Sequence, residues 1–218
     1  MTTDSEIAKI PVWVIRVKGS SICNHYLPVT VNSWRHYGFN NINLFDACTP
    51  YNWRSHEYYS KLPQLNFTEK RIYPSKRKRA WVTTERQIWM SHYSMWHKCI
   101  ELNVPIFIIE HDCRLVRPIK RGFNNGRNIF SIGMSTNKKN LAALGYFIKP
   151  NHAERMVDIA IGRDIKGPVD GYIHANQPWY PRGLLDDEYI YKHIYTKHIV
   201  NAEVGTTKPT VKKRKKNG

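Results

Sequence analysis

Acidic residues are scarce in this 218-residue chain, 17 Asp and Glu against 34 Lys and Arg, which leaves a formal net charge of +17. An excess of that size does not choose a fold, but it predicts attraction to polyanions and salt-sensitive association, with nucleic acid, nucleotide-charged substrates and anionic membrane surfaces all eligible. Cysteine is sparse as well: Cys23, Cys48, Cys99 and Cys113 form no CxxC pair. Reduced, mostly buried thiols are expected rather than a disulfide framework. No apolar run approaches the roughly 20 residues that a transmembrane helix needs. The amino terminus, Met1 to Glu6, is polar and acidic, unlike a secretory signal. His92 and His97 are not four residues apart, so a zinc-binding helix is unsupported. A soluble, cytoplasmic protein is expected, one domain over residues 1–206 and a basic tail over 207–218.

The segment that organises the rest is Pro105 to Leu115. Ile106-Phe107-Ile108-Ile109 is a short, unalternating apolar run, the pattern of a strand buried on both faces. It runs into Glu110 and Asp112, at the end where open α/β sheets bind ligands. On a strand these two acids share a side, and as hard oxygen ligands they suit Mg²⁺ or Mn²⁺ bound with a phosphorylated substrate. The alternative is a strand end whose acids cap the next helix or face water.

Earlier, Pro11 to Val17 is a first strand. Ser20 or Ser21 caps a helix reaching Trp34, with Pro28 inside the pattern arguing for a later start. Asn41 to Ala47 alternates as a second strand, so Arg16 and Asp46 stand near successive strand ends in a βαβ unit. Residues 49–80 mix aromatic and polar residues and end in Lys76-Arg77-Lys78-Arg79. That run is either a solvated loop or a phosphate-contacting surface. Thr83 or Thr84 is expected to cap a helix on which Trp89, Tyr93, Trp96 and Ile100 form an inward stripe. Strands follow at Asn128–Gly133 and Leu144–Ile148, then a helix from Pro150 and a short element containing Asp170. Asp186, Asp187 and Glu188 make an acidic island. The tail carries Lys212-Lys213-Arg214-Lys215-Lys216 without apolar periodicity, so it is expected to be disordered and to add phosphate contacts.

Together these pieces resemble glycosyltransferase family 25, which includes lipopolysaccharide sugar transferases and relatives of the collagen galactosyltransferases. The resemblance rests on V-W-V-I-R-V, L-F-D-A, E-R-Q-I-W-M-S-H-Y-S-M-W, I-F-I-I-E-H-D, G-Y-F-I-K-P-N-H-A and P-V-D in that order, spanning roughly residues 11 to 175. Two departures stand out. His111 replaces the middle acid of the usual E-D-D, leaving the outer pair, and the helix lacks the glycines of G-x-x-G-C-x-x-S-H-x-x-x-W while keeping Ser91, His92 and Trp96. The resemblance implies an α/β, GT-A-like (Rossmann-like) mixed sheet flanked by helices, a UDP-sugar or other nucleotide-sugar donor and Mn²⁺ or Mg²⁺. It further implies metal binding by Asp112, with Glu110 on the ribose or the metal shell. Arg16 and Asp46 would line the nucleoside pocket, and Ser91, His92 and Tyr146 would contact donor phosphates or sugar. Asp170 would be the general base, although a turn aspartate after Pro168 explains it as well.

Saccharide acceptors do not need so basic a chain; a polyanion does. The expectation is therefore a bacteriophage DNA-modifying member, acting on hydroxymethylcytosine in double-stranded DNA in the host cell cytoplasm. Its phosphate contacts would come from Lys76–Arg79 and Lys212–Lys216, and a flipped base would meet aromatics such as Trp53, Tyr58, Trp81, Trp179 or Tyr180. Two other readings stay open: a lipopolysaccharide or capsule transferase with its basic tail on the inner membrane, and a non-catalytic nucleic-acid-binding protein on a degenerate transferase core.

Overall fold

The computed structural model describes residues 2–49, 52, 62, 63, 65–67, 78–135, 140, 141, 143–165, 168–175 and 195–198, with backbone alone at 78–84, 134, 135, 140, 141, 174, 175, 197 and 198. In chain order its elements are α1 (Ser5–Ala8), β1 (Val12–Arg16), α2 (Ser21–His36), β2 (Ile42–Asp46), α3 (Lys78–Leu102), β3 (Ile106–Glu110) and β4 (Cys113–Leu115). They continue with β5 (Ile129–Ser131), β6 (Gly133–Ser135), β7 (Asn140–Leu141), β8 (Gly145–Ile148), α4 (Pro150–Ile161), α5 (Val169–Ala175) and β9 (Thr196–His198).

Among the described residues the main sheet has five strands in the order β2-β1-β3-β8-β5. β1 lies parallel to β2 and to β3, with Arg16 level with Asp46 and Ile15 level with Glu110. β8 and β5 add the antiparallel half, so the expected mixed, helix-flanked sheet is what forms. Its apolar runs explain its burial. Ile106, Phe107, Ile108 and Ile109 are all fully buried because both faces of β3 are covered. On one face Ile15, Phe45, Ile106 and Ile108 pack with Trp89, Tyr93 and Trp96 of α3 and Met156 of α4. On the other Val12, Val14, Phe107 and Ile109 pack with Trp34 of α2 and Phe39. Each such side chain contributes about 1.5–3 kcal/mol through the water it sheds.

The chain changes sheets at Ile132. Its N–H donates to Gly145 O at 2.9 Å in the main sheet, while its carbonyl accepts from Tyr195 and Thr196 at 2.9 and 3.0 Å in a second sheet ordered β4-β9-β6-β7. The single strand expected over Asn128–Gly133 is therefore split in two. Gly145 suits a close approach: a Cβ there would stand 3.0 Å from Cys113 Sγ, which would have to give way by a few tenths of an ångström.

Two helix boundaries differ from expectation. α2 begins at Ser21 with Ser20 as its cap and runs unbroken through Pro28. The missing N–H bond is outweighed by the buried stripe Cys23, Tyr26, Thr30 and Trp34. α3 begins at Lys78, so Thr83 and Thr84 sit inside it rather than capping it. Lys and Arg are good helix formers, which suits Lys78 and Arg79 to the first turn. No described helix is long and apolar enough to cross a membrane. Trp53, Tyr58, Lys76, Arg77, Trp179, Tyr180, Asp186, Asp187, Glu188 and the tail with Lys212, Lys213, Arg214, Lys215 and Lys216 lie outside the described residues.

Candidate active site

The three parallel strands end at one edge of the sheet, and an open cleft of about 800 Å³ lies there. Its walls are Val17, Lys18, Gly19 and Ser20 after β1, Ala47, Cys48, Thr49 and Asn52 after β2, Glu110 and His111 at the end of β3, and Gln87, Ile88, Ser91 and His92 on α3. The size suits a cofactor-sized ligand, and the position is the crevice outside the carboxyl ends of the strands where α/β sheets bind ligands.

Local chemistry shapes each wall. Gly19 has φ +82°, a left-handed backbone that glycine adopts without strain, and Ser20 then caps α2 by accepting the Cys23 N–H at 3.3 Å. After β2, Asn52 closes the loop on itself: its Oδ1 accepts from Thr49 N–H at 2.7 Å and its Nδ2 donates to Ala47 O at 2.9 Å. Ser91, almost fully buried, donates to Gln87 O at 2.8 Å and accepts the Cys48 N–H at 2.9 Å. Its hydroxyl thus ties the post-β2 loop to α3. Burial pushes the neighbouring Cys48 thiol up to about 11.

The expected site residues divide between the two faces of the sheet. On the α3 face, Glu110 follows Ile106 and Ile108 in the alternation of β3, and its Oε1 stands 3.8 Å from His92 Nε2. The other ring nitrogen of His92 is 3.0 Å from the Tyr146 hydroxyl, which also accepts the Trp96 indole N–H at 3.0 Å. Tyr146 is completely buried, so it reaches the cleft only through His92. Burial holds its phenol well above the ordinary tyrosine range, with the Trp96 hydrogen bond pulling the other way.

On the α2 face, Arg16 and Asp46 follow Val14 and Leu44 by the same alternation. Arg16 Nε donates to Asp46 Oδ1 at 2.7 Å, and Lys18 Nζ lies 3.9 Å from Asp46 Oδ2. Asp112 lies beyond this alternation. β3 ends at Glu110 and a turn follows at His111 and Asp112, so the strand alternation expected to pair Glu110 with Asp112 does not extend that far. Asp112 is 5% exposed, and its charge, with those of Arg16 and Asp46, reaches the Cys23 thiol, which burial raises above all. Thr30 holds the turn in place by donating to His111 O at 2.7 Å.

Asp170 sits in the first turn of α5, where its Oδ1 accepts the Ala143 N–H at 3.3 Å. It joins α5 to the segment entering β8 and is not among the residues lining the cleft. Lys78 and Arg79 form the first turn of α3, with Trp81 on the next.

A metal was expected at Glu110 and Asp112. Among the described residues no three His, Cys, Asp or Glu side chains come together as a ligand set. The described residues therefore make no closed ligand set of their own, whereas an Mg²⁺-type ion carried in with a diphosphate needs only one or two carboxylates and completes its shell with phosphate oxygens and water.

Of the residues expected from sequence, Glu110, Ser91 and His92 line the cleft, and beside them stand Lys18, Thr49, Asn52 and Gln87, which the sequence did not single out. The available signals were the K-G-S-S turn after the first strand and the T-P-Y-N turn after the second, both punctuating strand ends.

Among curated proteins nothing matches the chain. The sequence model of Glycosyltransferase family 25 (LPS biosynthesis protein) matches residues 36–127, a span that holds Asp46, Ser91, His92, Trp96, Glu110, His111 and Asp112; this stretch is similar to that family, and the match supports a glycosyltransferase.

Proposed function

We propose that the protein moves a pentose or hexose from a UDP-sugar to the hydroxymethyl group of a modified cytosine in double-stranded DNA. The transferase part rests on the cleft at the carboxyl ends of β1, β2 and β3, with Glu110 and His92 on its wall, in a chain matched by a glycosyltransferase family. In this reading the donor diphosphate lies between the Lys18–Ser20 turn and His111, and Glu110 with His92 faces the ribose or phosphates. Arg16 and Asp46 border the nucleoside end. Asp112 and Glu110 would hold Mn²⁺ or Mg²⁺ together with the donor's phosphate oxygens. Such an ion supplies Lewis-acid stabilisation to the departing nucleotide. Asp170 is the carboxylate proposed to take the acceptor proton.

The acceptor part rests on charge. A chain of net +17 is built for a polyanion, and Lys76, Arg77, Lys78, Arg79 and Lys212–Lys216 are proposed to track phosphates. The family description favours a second reading, a lipopolysaccharide or capsule saccharide acceptor. A non-catalytic nucleic-acid-binding protein is the third, kept by His111 in the acidic motif.

One experiment separates them. Duplex DNA containing hydroxymethylcytosine is incubated with protein, Mn²⁺ and a panel of UDP-sugars, then digested for nucleoside mass spectrometry. A pentose or hexose increment on the modified nucleoside is expected. Donor turnover only with saccharide acceptors selects the second reading; DNA binding without any donor turnover selects the third.

A further inference from the structure

Three side chains from two elements form a buried string behind the cleft: Trp96 and His92 on α3, and Tyr146 on β8. The Trp96 indole can only donate, and it donates to the Tyr146 oxygen at 3.0 Å. The Tyr146 hydroxyl proton is then directed at the remaining neighbour, His92 Nδ1, also 3.0 Å away. With Nδ1 as the acceptor, a neutral His92 carries its proton on Nε2, the nitrogen that faces Glu110. At 3.8 Å from Glu110 Oε1, that N–H is too far for a full hydrogen bond. It is directed toward the cleft without being used up by the carboxylate.

We infer that Trp96 and Tyr146 are positioning residues that fix His92 as its Nε2–H tautomer, so that the cleft offers an anionic donor oxygen a hydrogen-bond donor beside Glu110 rather than a bare ring nitrogen. The inference about the donor rests on the proposed transferase reading; the tautomer does not. Several features favour a fixed tautomer. His92 and Tyr146 are 1% and 0% exposed, so water does not compete for either partner. The rings lie nearly parallel, 28° apart with centroids at 5.7 Å, which limits rotation of the imidazole. Burial keeps the Tyr146 phenol protonated and hence a donor. The arrangement also gives a physical reason for Ser91, His92 and Trp96 occurring together. Ser91 fixes the loop after β2 through Cys48, and one helical turn further along Trp96 fixes the ring of His92 through β8.

The test begins with wild-type protein, without donor. Nitrogen-15 NMR of His92, recorded above the pH at which the imidazole is protonated, is expected to show a pyrrole-like Nε2 and a pyridine-like Nδ1. The reverse pattern, or an even mixture, overturns the inference. Tyr146→Phe removes one oxygen and little volume, and its fold is checked by circular dichroism. In it His92 is expected to become a tautomeric mixture and the Trp96 indole N–H resonance to shift. A single Nε2–H tautomer in Tyr146→Phe, or an unmoved Trp96 resonance, also overturns it. With a turned-over UDP-sugar, Tyr146→Phe is expected to raise the donor KM roughly tenfold, the loss of one hydrogen bond to a charged group, and to change kcat far less. A fall in kcat at constant KM rules out the donor-facing role. Absence of turnover by the wild type would sink the transferase reading and leave the NMR results to decide the tautomer.

Discussion

Arg16 and Asp46 meet at 2.7 Å across the carboxyl ends of β1 and β2, in strict register with one another. Each side chain is about 30% exposed or less, so the pair is screened less than a surface bridge, and its partner-dependence exceeds that of an exposed pair. Asp46→Asn is expected to cost about 1–2 kcal/mol, because it leaves the part-buried guanidinium short of an anion. Urea unfolding of Asp46→Asn, Arg16→Met and the double variant measures it. A coupling energy near zero would mean that the two groups serve the site independently and only happen to touch.

The turn carrying His111 and Asp112 is held in part by a hydroxyl from another element. Thr30 is fully buried on α2 and donates to His111 O at 2.7 Å. Thr30→Val keeps the shape and removes the donor, leaving the carbonyl without that bond at a cost of about 1–2 kcal/mol. If His111 and Asp112 serve the donor, the same substitution should raise the donor KM more than a substitution of equal stability cost elsewhere in the core. Matching Thr30→Val against an Ile148→Val control separates a loosened turn from a generally weakened fold.

Reading the strands from sequence worked because their signal is local. Ile106 to Ile109 is apolar without alternation, and a strand covered on both faces is the simple way to bury it. Trp89, Tyr93 and Trp96 likewise share a helix face at helical spacing. The site was legible only in part, because strand alternation extends no further than the strand. Glu110 is the last residue of β3, so its direction follows from Ile106 and Ile108. Asp112 lies two residues into a turn, where backbone geometry depends on Thr30 from α2, some eighty positions earlier. Nothing in the pattern of β8 distinguishes a Tyr146 that contacts the donor from one that stands behind His92; its contacts with α3 do.

Stability is expected to fall on both sides of neutrality. Burial lowers the pKa of His97 and of His152, the latter also facing Arg155. Below about pH 6.5 the unfolded chain takes up these protons before the folded one does, so stability drops as pH falls through that range. On the alkaline side burial raises Cys48 to about 11, Cys99 to about 12 and Tyr93 to about 12. The unfolded chain loses those protons first, near pH 9–10, and stability falls as pH rises from there. Urea midpoints across pH give the two limbs, and His97→Gln with His152→Gln should flatten the acid limb while leaving the alkaline one. An acid limb unchanged by that pair would assign the loss to carboxylates instead.

Cys48 offers a chemical view of the cleft wall. It lines the cleft, is 5% exposed, and is held by the hydrogen bond from its own N–H to Ser91 Oγ. With the thiol raised to about 11, little thiolate exists at neutral pH, and native protein should react slowly with iodoacetamide. Ser91→Ala removes the acceptor and leaves the Cys48 N–H buried without it, costing about 1–3 kcal/mol. The loop after β2 then opens more often, so Cys48 should alkylate several-fold faster, as read by peptide mass spectrometry, while fully buried Cys99 and Cys113 stay unchanged. Addition of UDP should slow Cys48 in both proteins if the nucleotide occupies this wall. Equal acceleration at Cys48, Cys99 and Cys113 would mean that Ser91→Ala loosens the whole core, and UDP without effect would move the nucleotide away from the β2 side of the cleft.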